Sequence, residues 1–151
     1  MTFERIAEWV GRPVYLSRLS FPMFNQEFSA VGLKKSMLML WFDSDSSQIQ
    51  KNDLLLHLLQ RLPLGLFVAG FDVQESFDLL IDLVSKNAYS RQIMTGMIEE
   101  TNIIDAINTY LSSAFPAEED FDYWVDYKII VSEKSSAEIN LKKIRATFHN
   151  L

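Results

Sequence analysis

Cysteine is absent from this chain of 151 residues, and glycine and proline are scarce, with five and four residues. The lack of cysteine excludes disulfides, a thiol nucleophile and a zinc–thiolate site. No apolar run approaches the ~20 residues that a membrane-spanning helix needs. The first residues include Glu4 and Glu8 and no long apolar stretch, so we expect no secretory signal and a cytoplasmic protein. An apolar content of 48% is typical of a soluble globular chain and predicts one domain over residues 1–151.

Charge is distributed unevenly along the chain. The formal net charge is −6, and residues 37–127 alone contain fifteen acidic and four basic side chains. A segment this acidic does not suit a nucleic-acid backbone, which requires a basic face. It favours a cationic partner, either a basic protein or a metal ion. The alternative is that these acids only keep the surface soluble.

Hydrophobic periodicity predicts alternating strands and helices. Short apolar runs are typical of buried strands, and apolar residues at helical spacing are typical of helices. The predicted strands are residues 37–42, 64–71, 91–98 and 127–132, and the predicted helices are residues 46–62, 72–88, 102–115 and 135–151. This alternation indicates an α/β fold: a single three-layer domain, with a mostly parallel sheet of about four to five strands and helices on both faces.

The N-terminal region has a less regular pattern. Residues 2–10 predict a short amphipathic helix. Residues 14–33 predict an edge strand or an irregular arm, because Pro22 interrupts them. Further along, Asp72 followed by Glu75 predicts a capping box at the start of the second helix of the alternating series.

Acidic residues follow every strand of the alternating series. Because ligands of open parallel sheets bind beyond the carboxyl ends of the strands, these acids would share one functional edge. They are Asp43, Asp45, Asp72, Glu99, Glu100 and Glu133. The alternative is that each acid is only a helix cap or a first-turn residue, since acids are favoured at the same positions.

The stretch WFDSDSS resembles the first motif of the haloacid-dehalogenase phosphatases. The resemblance implies that Asp43 is a nucleophile, that Asp45 is an acid/base, and that Mg²⁺ binds with help from Glu99 and Glu100. The chain departs from that family in having no Ser or Thr at the end of its second predicted strand. The same acids are also similar to those of the receiver domains of two-component signalling.

Residues 117–126, AEEDFDYWVD, interleave aromatic and acidic side chains. Tyrosine and tryptophan supply large anchoring areas in protein interfaces, and acids steer a basic partner. The alternative is that the rings lead into the fourth strand of the series. At least one ring is then expected to pack on the core, with Asp122 and Asp126 facing solvent.

A small, acidic, cysteine-free chain with aromatic and acidic surface residues resembles the bacterial immunity proteins. The resemblance implies one-to-one binding of a basic, nuclease-type toxin, with no catalysis and no cofactor. We expect the acids to gather into one surface that binds a basic protein partner rather than nucleic acid or a membrane. The expected partner-binding residues are Glu118, Glu119, Asp120, Asp122, Tyr123, Trp124, Asp126, Asp43, Asp45, Glu99 and Glu100. The alternatives are a phosphoryl-transfer domain that uses Asp43 and Asp45, and a scaffold domain without catalysis.

Overall fold

Over the part of the chain that the structure describes, six strands form one mixed sheet accompanied by four α-helices and a 3₁₀ helix. The computed structural model describes residues 3–19, 32–44, 46–89, 92–132 and 137–148, with the backbone alone for 137–140. The strands are β1 (Glu4–Trp9), β2 (Arg12–Leu19), β3 (Ser36–Phe42), β4 (Gly65–Gly70), β5 (Met94–Met97) and β6 (Asp126–Ser132). The helices are α1 (Gln48–Leu59), α2 (Val73–Lys86), α3 (Ile103–Ser113), the 3₁₀ helix (Glu118–Tyr123) and α4 (Ala137–Phe148).

The strand order across the sheet is β1-β2-β6-β3-β4-β5, and only β1 and β2 are antiparallel. The predicted alternation of strands and helices from β3 to α4 is confirmed. The sheet has more strands than the expected four to five, because β1 and β2 extend it. Strand β2 lies between β1 and β6, so the prediction of an edge strand is wrong for residues 14–19. Residues 20–31 of that stretch lie outside the described residues.

The helix predicted over residues 2–10 is wrong, because this segment forms the first arm of a β-hairpin. Val10 and Gly11 make its two-residue turn with φ angles of 43° and 80°, the sign that a type I′ turn requires. The pairing register shifts between Arg5 and Ala7. Such a bulge interrupts the inward–outward alternation of a strand, and this leaves apolar residues at a spacing that imitates a helix.

Strands β3 and β6 form the centre of the sheet, and every residue in both is buried. Side chains that alternate along β3 enter two different cores. Met37, Met39 and Trp41 pack with apolar residues of α3 and α4. Leu38, Leu40 and Phe42 pack with leucines of α1 and α2. Helices therefore cover both faces of the sheet, and this explains why these strands read as continuous apolar runs.

Asp72 is the N-cap residue of α2, but the predicted capping box does not form there. Asp72 adopts a left-handed conformation with φ 48°, and its side chain makes no capping hydrogen bond. A capping box forms instead at the start of α1, where the Ser47 side chain accepts from the Gln50 backbone and the Gln50 side chain accepts from the Ser47 backbone. The sharp turn from β4 into α2 displaces the Asp72 side chain from the helix terminus.

Gly70 permits that turn, since its φ of 101° lies in the region that favours glycine. A methyl group here would overlap the carbonyl oxygen of Phe42 on the neighbouring strand. We therefore expect Gly70→Ala to lower the free energy of unfolding by at least about 2 kcal/mol in urea denaturation. Gly32→Ala is the matched control, because a methyl group there would meet no atom within 4 Å. Equal losses in the two variants would contradict this explanation.

Tyr110 of α3 is fully buried beneath the sheet and contacts two aromatic rings. Its ring centroid lies 6.1 Å from that of Phe67 and 5.8 Å from that of Tyr127. Burial raises the pKa of the Tyr110 hydroxyl well above its ordinary value of 10, and the proximity of Tyr127 and Asp126 raises that pKa further. The folded protein therefore requires the neutral phenol at this position.

Stability should accordingly fall under alkaline conditions. The unfolded chain ionises its tyrosines near pH 10 while the folded chain holds Tyr110 neutral, so the free energy of unfolding should decrease as the pH rises above about 10. Tyr110→Phe retains the ring and removes the ionisation, and should therefore reduce this decrease between about pH 8 and about pH 11. Urea denaturation at both pH values measures it, with Tyr123→Phe at an exposed ring as the control. An unchanged alkaline loss in Tyr110→Phe would disprove the assignment.

Candidate functional site

The predicted site residues lie at two opposite edges of the sheet. Strands β2 to β6 are parallel, so their carboxyl ends share one edge and their amino ends share the other. Asp43, Glu99 and Glu100 follow β3 and β5 at the carboxyl edge, whereas the segment 118–126 precedes and enters β6 at the amino edge. The expectation that all of these acids gather into one surface is therefore wrong. The physical reason is that some of these acids follow the carboxyl ends of strands, whereas the others lie at the amino end of β6.

At the carboxyl edge, two of the described acids are held by local contacts. Asp43 is half-buried, accepts a hydrogen bond from the Ser46 hydroxyl at 3.2 Å, and donates its backbone N–H to the Ser132 carbonyl at 3.2 Å. Glu100 accepts from the Thr109 hydroxyl at 2.6 Å. Asp72 and Glu99 are exposed.

Asp45 and Glu133 lie outside the described residues. Over the residues that are described, no three histidine, aspartate or glutamate side chains converge on a position that could hold a metal ion. Phosphoryl transfer by Asp43 and Asp45 stays a prediction.

Lys51 is a buried cation at the same edge that the sequence analysis did not single out. Its ammonium donates to the Phe71 carbonyl at 3.3 Å and lies 3.4 Å from a Glu75 carboxylate oxygen. It also lies 5.5 Å from the centroid of the Phe42 ring. These contacts connect α1 to the end of β4, to α2 and to β3. The spacing of leucines around Lys51 predicted a buried helix face but did not indicate that a lysine would share it.

At the amino edge, Arg12 of β2 organises the segment around the 3₁₀ helix. Its guanidinium lies 3.9 Å from the centroid of the Trp124 ring and 5.1 Å from that of Phe121. The same group donates to the Trp124 carbonyl at 3.2 Å and to the Phe121 carbonyl at 3.4 Å. One half-buried arginine therefore binds both the rings and the backbone of the acidic segment, although more than one hundred residues separate them in the chain.

Trp124 is only 6% exposed, so it supports the surface and does not form part of it. Its indole N–H donates to the Asp126 carbonyl at 2.8 Å, and its ring meets Tyr127 edge-on with centroids 4.9 Å apart. The expectation that at least one of the three rings packs on the core is thus confirmed, while the placement of Trp124 in a partner-binding surface is wrong. Trp124 lies two residues before β6, and its ring packs in the same core cluster as Tyr127.

Asp126 does not face solvent as expected. It is 7% exposed, and its carboxylate accepts from the Lys128 ammonium at 2.7 Å. Lys128 also donates to the Ser36 hydroxyl at 2.7 Å. Asp126 is the first residue of β6, and β6 lies between β2 and β3. This central position buries Asp126. On an outer strand, the alternating pattern would have exposed it.

The exposed part of the segment combines apolar and acidic side chains. Phe121, Tyr123 and Val125 are 47%, 41% and 47% exposed. Glu118, Glu119 and Asp122 are exposed beside them, and Asp120 is half-buried. We call the six exposed residues the acidic–aromatic surface: Glu118, Glu119, Phe121, Asp122, Tyr123 and Val125. Large apolar side chains exposed together on one short segment are typical of interaction sites.

A second acidic region, which the sequence analysis missed, lies between α1 and α2. A groove of about 440 Å³ is lined by Gln48, Asp72, Gln74, Glu75, Asp78, Leu79 and Asp82. Glu75, Asp78 and Asp82 recur three and four residues apart, which is the spacing of one helix face. The same spacing is present in the sequence, but the apolar pattern on the opposite face of this helix predicts only that the helix packs against the sheet.

Comparison with known proteins finds no family that matches the chain, no matching curated protein and no matching solved structure. Among the described helices, none has the length and apolar character needed to cross a membrane.

The contacts of Arg12 lead to a prediction about the amino edge. Arg12→Ala removes two hydrogen bonds and the stacking on Trp124, so we expect a loss of about 1–3 kcal/mol in the free energy of unfolding. Amides of residues 118–124 should also exchange hydrogen faster. Arg12→Lys keeps the charge but not the planar fork, and should recover only part of the protection. Hydrogen exchange measured by mass spectrometry tests both variants, and unchanged protection in Arg12→Ala would refute the role of this residue.

Proposed function

We propose that this chain is a binding protein that blocks a basic protein partner, in the manner of a bacterial immunity protein, through the acidic–aromatic surface. One observation supports this most directly: exposed aromatic rings lie among exposed carboxylates on a segment whose backbone is held by hydrogen bonds from Arg12. Phe121 and Tyr123 supply the anchoring area, and Glu118, Glu119 and Asp122 supply the negative charge.

Rigidity favours the segment as a binding surface. Association costs free energy when side chains and loops become ordered, so a preformed surface binds more tightly than a flexible one. Three contacts hold the segment on the sheet. The Arg12 guanidinium joins it to β2, and the Trp124 indole joins it to β6. The Val125 N–H donates to the carbonyl of Lys35, which directly precedes β3, at 2.9 Å. Phe121 rests edge-on against Trp124, with centroids 5.6 Å apart.

Charge then selects the class of partner. Among the described residues, the carboxylates of Glu118, Glu119 and Asp122 form no ion pair with a buried cation. As exposed charges they act mainly on the rate of encounter with a positive surface. A nuclease-type toxin has such a surface, since it must bind phosphates. The acids would occupy the positions that phosphates take on that surface.

The experiment begins with capture of a stoichiometric partner from the native host and its purification as a single basic protein. Its affinity for the wild-type chain is then compared with that for Glu118→Lys/Glu119→Lys and for Phe121→Ala/Tyr123→Ala by calorimetric titration. We expect each double variant to weaken binding by at least about tenfold, and the wild-type affinity to fall as salt is added.

Asp53→Lys/Asp78→Lys is the matched control, because it changes the net charge equally at exposed acids of α1 and α2. Its affinity should stay within about threefold of the wild type, since exposed charges distant from an interface are screened. Equal weakening in both charge variants would show a diffuse electrostatic effect and contradict the proposed surface. Weakening in the control alone would assign binding to the groove between α1 and α2.

A further inference from the structure

Val10, in the turn between β1 and β2, combines two unfavourable local features. Its φ of 43° lies in the left-handed region, which is a marked outlier for a β-branched residue. Its side chain is also 68% exposed and belongs to neither of the two cores that the described residues form. The first position of a type I′ turn favours asparagine, aspartate or glycine, and asparagine before Gly11 would remove both features. Folding of the chain by itself therefore does not explain a valine here.

Other exposed apolar side chains lie at the same edge of the sheet. Among the described residues, eight large apolar side chains are at least 41% exposed. Five of these belong to the amino edge: Val10, Phe115, Phe121, Tyr123 and Val125. The turn before β2 and the segment before β6 share this edge because the two strands are parallel. Apolar side chains gathered at one edge are typical of an interaction site, whereas the same number scattered singly would not be.

Arg12 connects the turn to the acidic–aromatic surface. It directly follows Gly11, its guanidinium lies 5.1 Å from the centroid of the Phe121 ring, and it donates to the Phe121 carbonyl at 3.4 Å. On the other side of the turn, Trp9 pairs with Arg12 across the hairpin and packs against a core. Both ends of the turn are therefore anchored, and Val10 is held beside the acidic–aromatic surface.

We propose that Val10 is a contact residue for the basic protein partner, so that the binding surface extends from the 3₁₀ helix to the hairpin turn. The proposal rests on the proposed function, because the exposed acids Glu118 and Glu119 select that partner by charge complementarity. Strained backbone positions cluster at binding sites, where the strain is compensated elsewhere. Here the compensation comes from the partner, which buries the valine side chain only in the complex.

Val10→Asn tests the proposal in two measurements. Asparagine followed by Gly11 is a favoured pair for a type I′ turn, so the urea midpoint of the free chain should rise. The substitution also removes the apolar contact, so binding should weaken at least about threefold. Calorimetric titration measures it with two probes: the basic protein purified from the native host, and a short synthetic peptide of alternating lysine and leucine.

Ile49→Gln is the matched control, because Ile49 is 75% exposed on the first turn of α1, at the opposite edge of the sheet. This variant should bind both probes as the wild type does. Val10→Ile keeps a branched apolar side chain in the same turn and should also retain the wild-type affinity. Equal weakening in Val10→Asn and Ile49→Gln would overturn the proposal, as would a urea midpoint that does not rise in Val10→Asn.

The remaining outcomes separate this proposal from the proposed function. A raised midpoint with unchanged affinity in Val10→Asn, while Glu118→Lys/Glu119→Lys still weakens binding, would overturn the role of Val10 alone. Weakening by Val10→Asn without weakening by that charge variant would support the contact at the turn and overturn the acidic–aromatic surface. Failure of the wild type to bind either probe would overturn both. Dimerisation of the wild type that Val10→Asn abolishes would also overturn the proposal, since the turn would then bind a second copy of the chain.

Discussion

The position of β6 between β2 and β3 is the constraint on which the rest of the structure depends. The last strand of the chain enters the centre of the sheet, with Asp126 opposite Ser36 and Val14 opposite Tyr127. All seven of its residues are buried, so this insertion joins the two cores. It also brings together, at the amino edge, residues from the first and last thirds of the chain.

The proposed binding surface at the amino edge is a consequence of this insertion. Arg12 can stack on Trp124, and Lys35 on Tyr123, only because β2 and β3 lie on either side of β6. The result is a charge arrangement that the net charge conceals. Exposed carboxylates lie on the 3₁₀ helix, and a cavity beside it is lined by Lys34, Lys35, Arg61 and Lys128. A surface with adjacent regions of opposite sign can select a partner by the pattern of its charge as well as by its sign.

The secondary structure from β3 onward was predictable, because buried strands and amphipathic helices leave period-specific apolar patterns. The prediction failed where local features distort the pattern: a bulge disguised β1 as a helix, and the turn at Gly70 and Asp72 replaced an expected capping box. The sequence predicted which segment carries the candidate site, but not which residues of that segment are exposed. Residues 117–126 were identified as a feature, yet Trp124 and Asp126 proved to be buried supports.

The sequence by itself therefore determined which segments are apolar on one or two sides, and so the α/β class and the alternation of elements. It also determined that acids follow several strands and that rings and carboxylates alternate before β6. Only the tertiary structure decided the strand order, and with it the separation of the acids to opposite edges and the gathering of lysines around one cavity. The physical reason is that periodicity reports the local environment of each residue, whereas the order of the central strands depends on pairing between distant segments, such as Ser36 with Asp126 and Val14 with Tyr127.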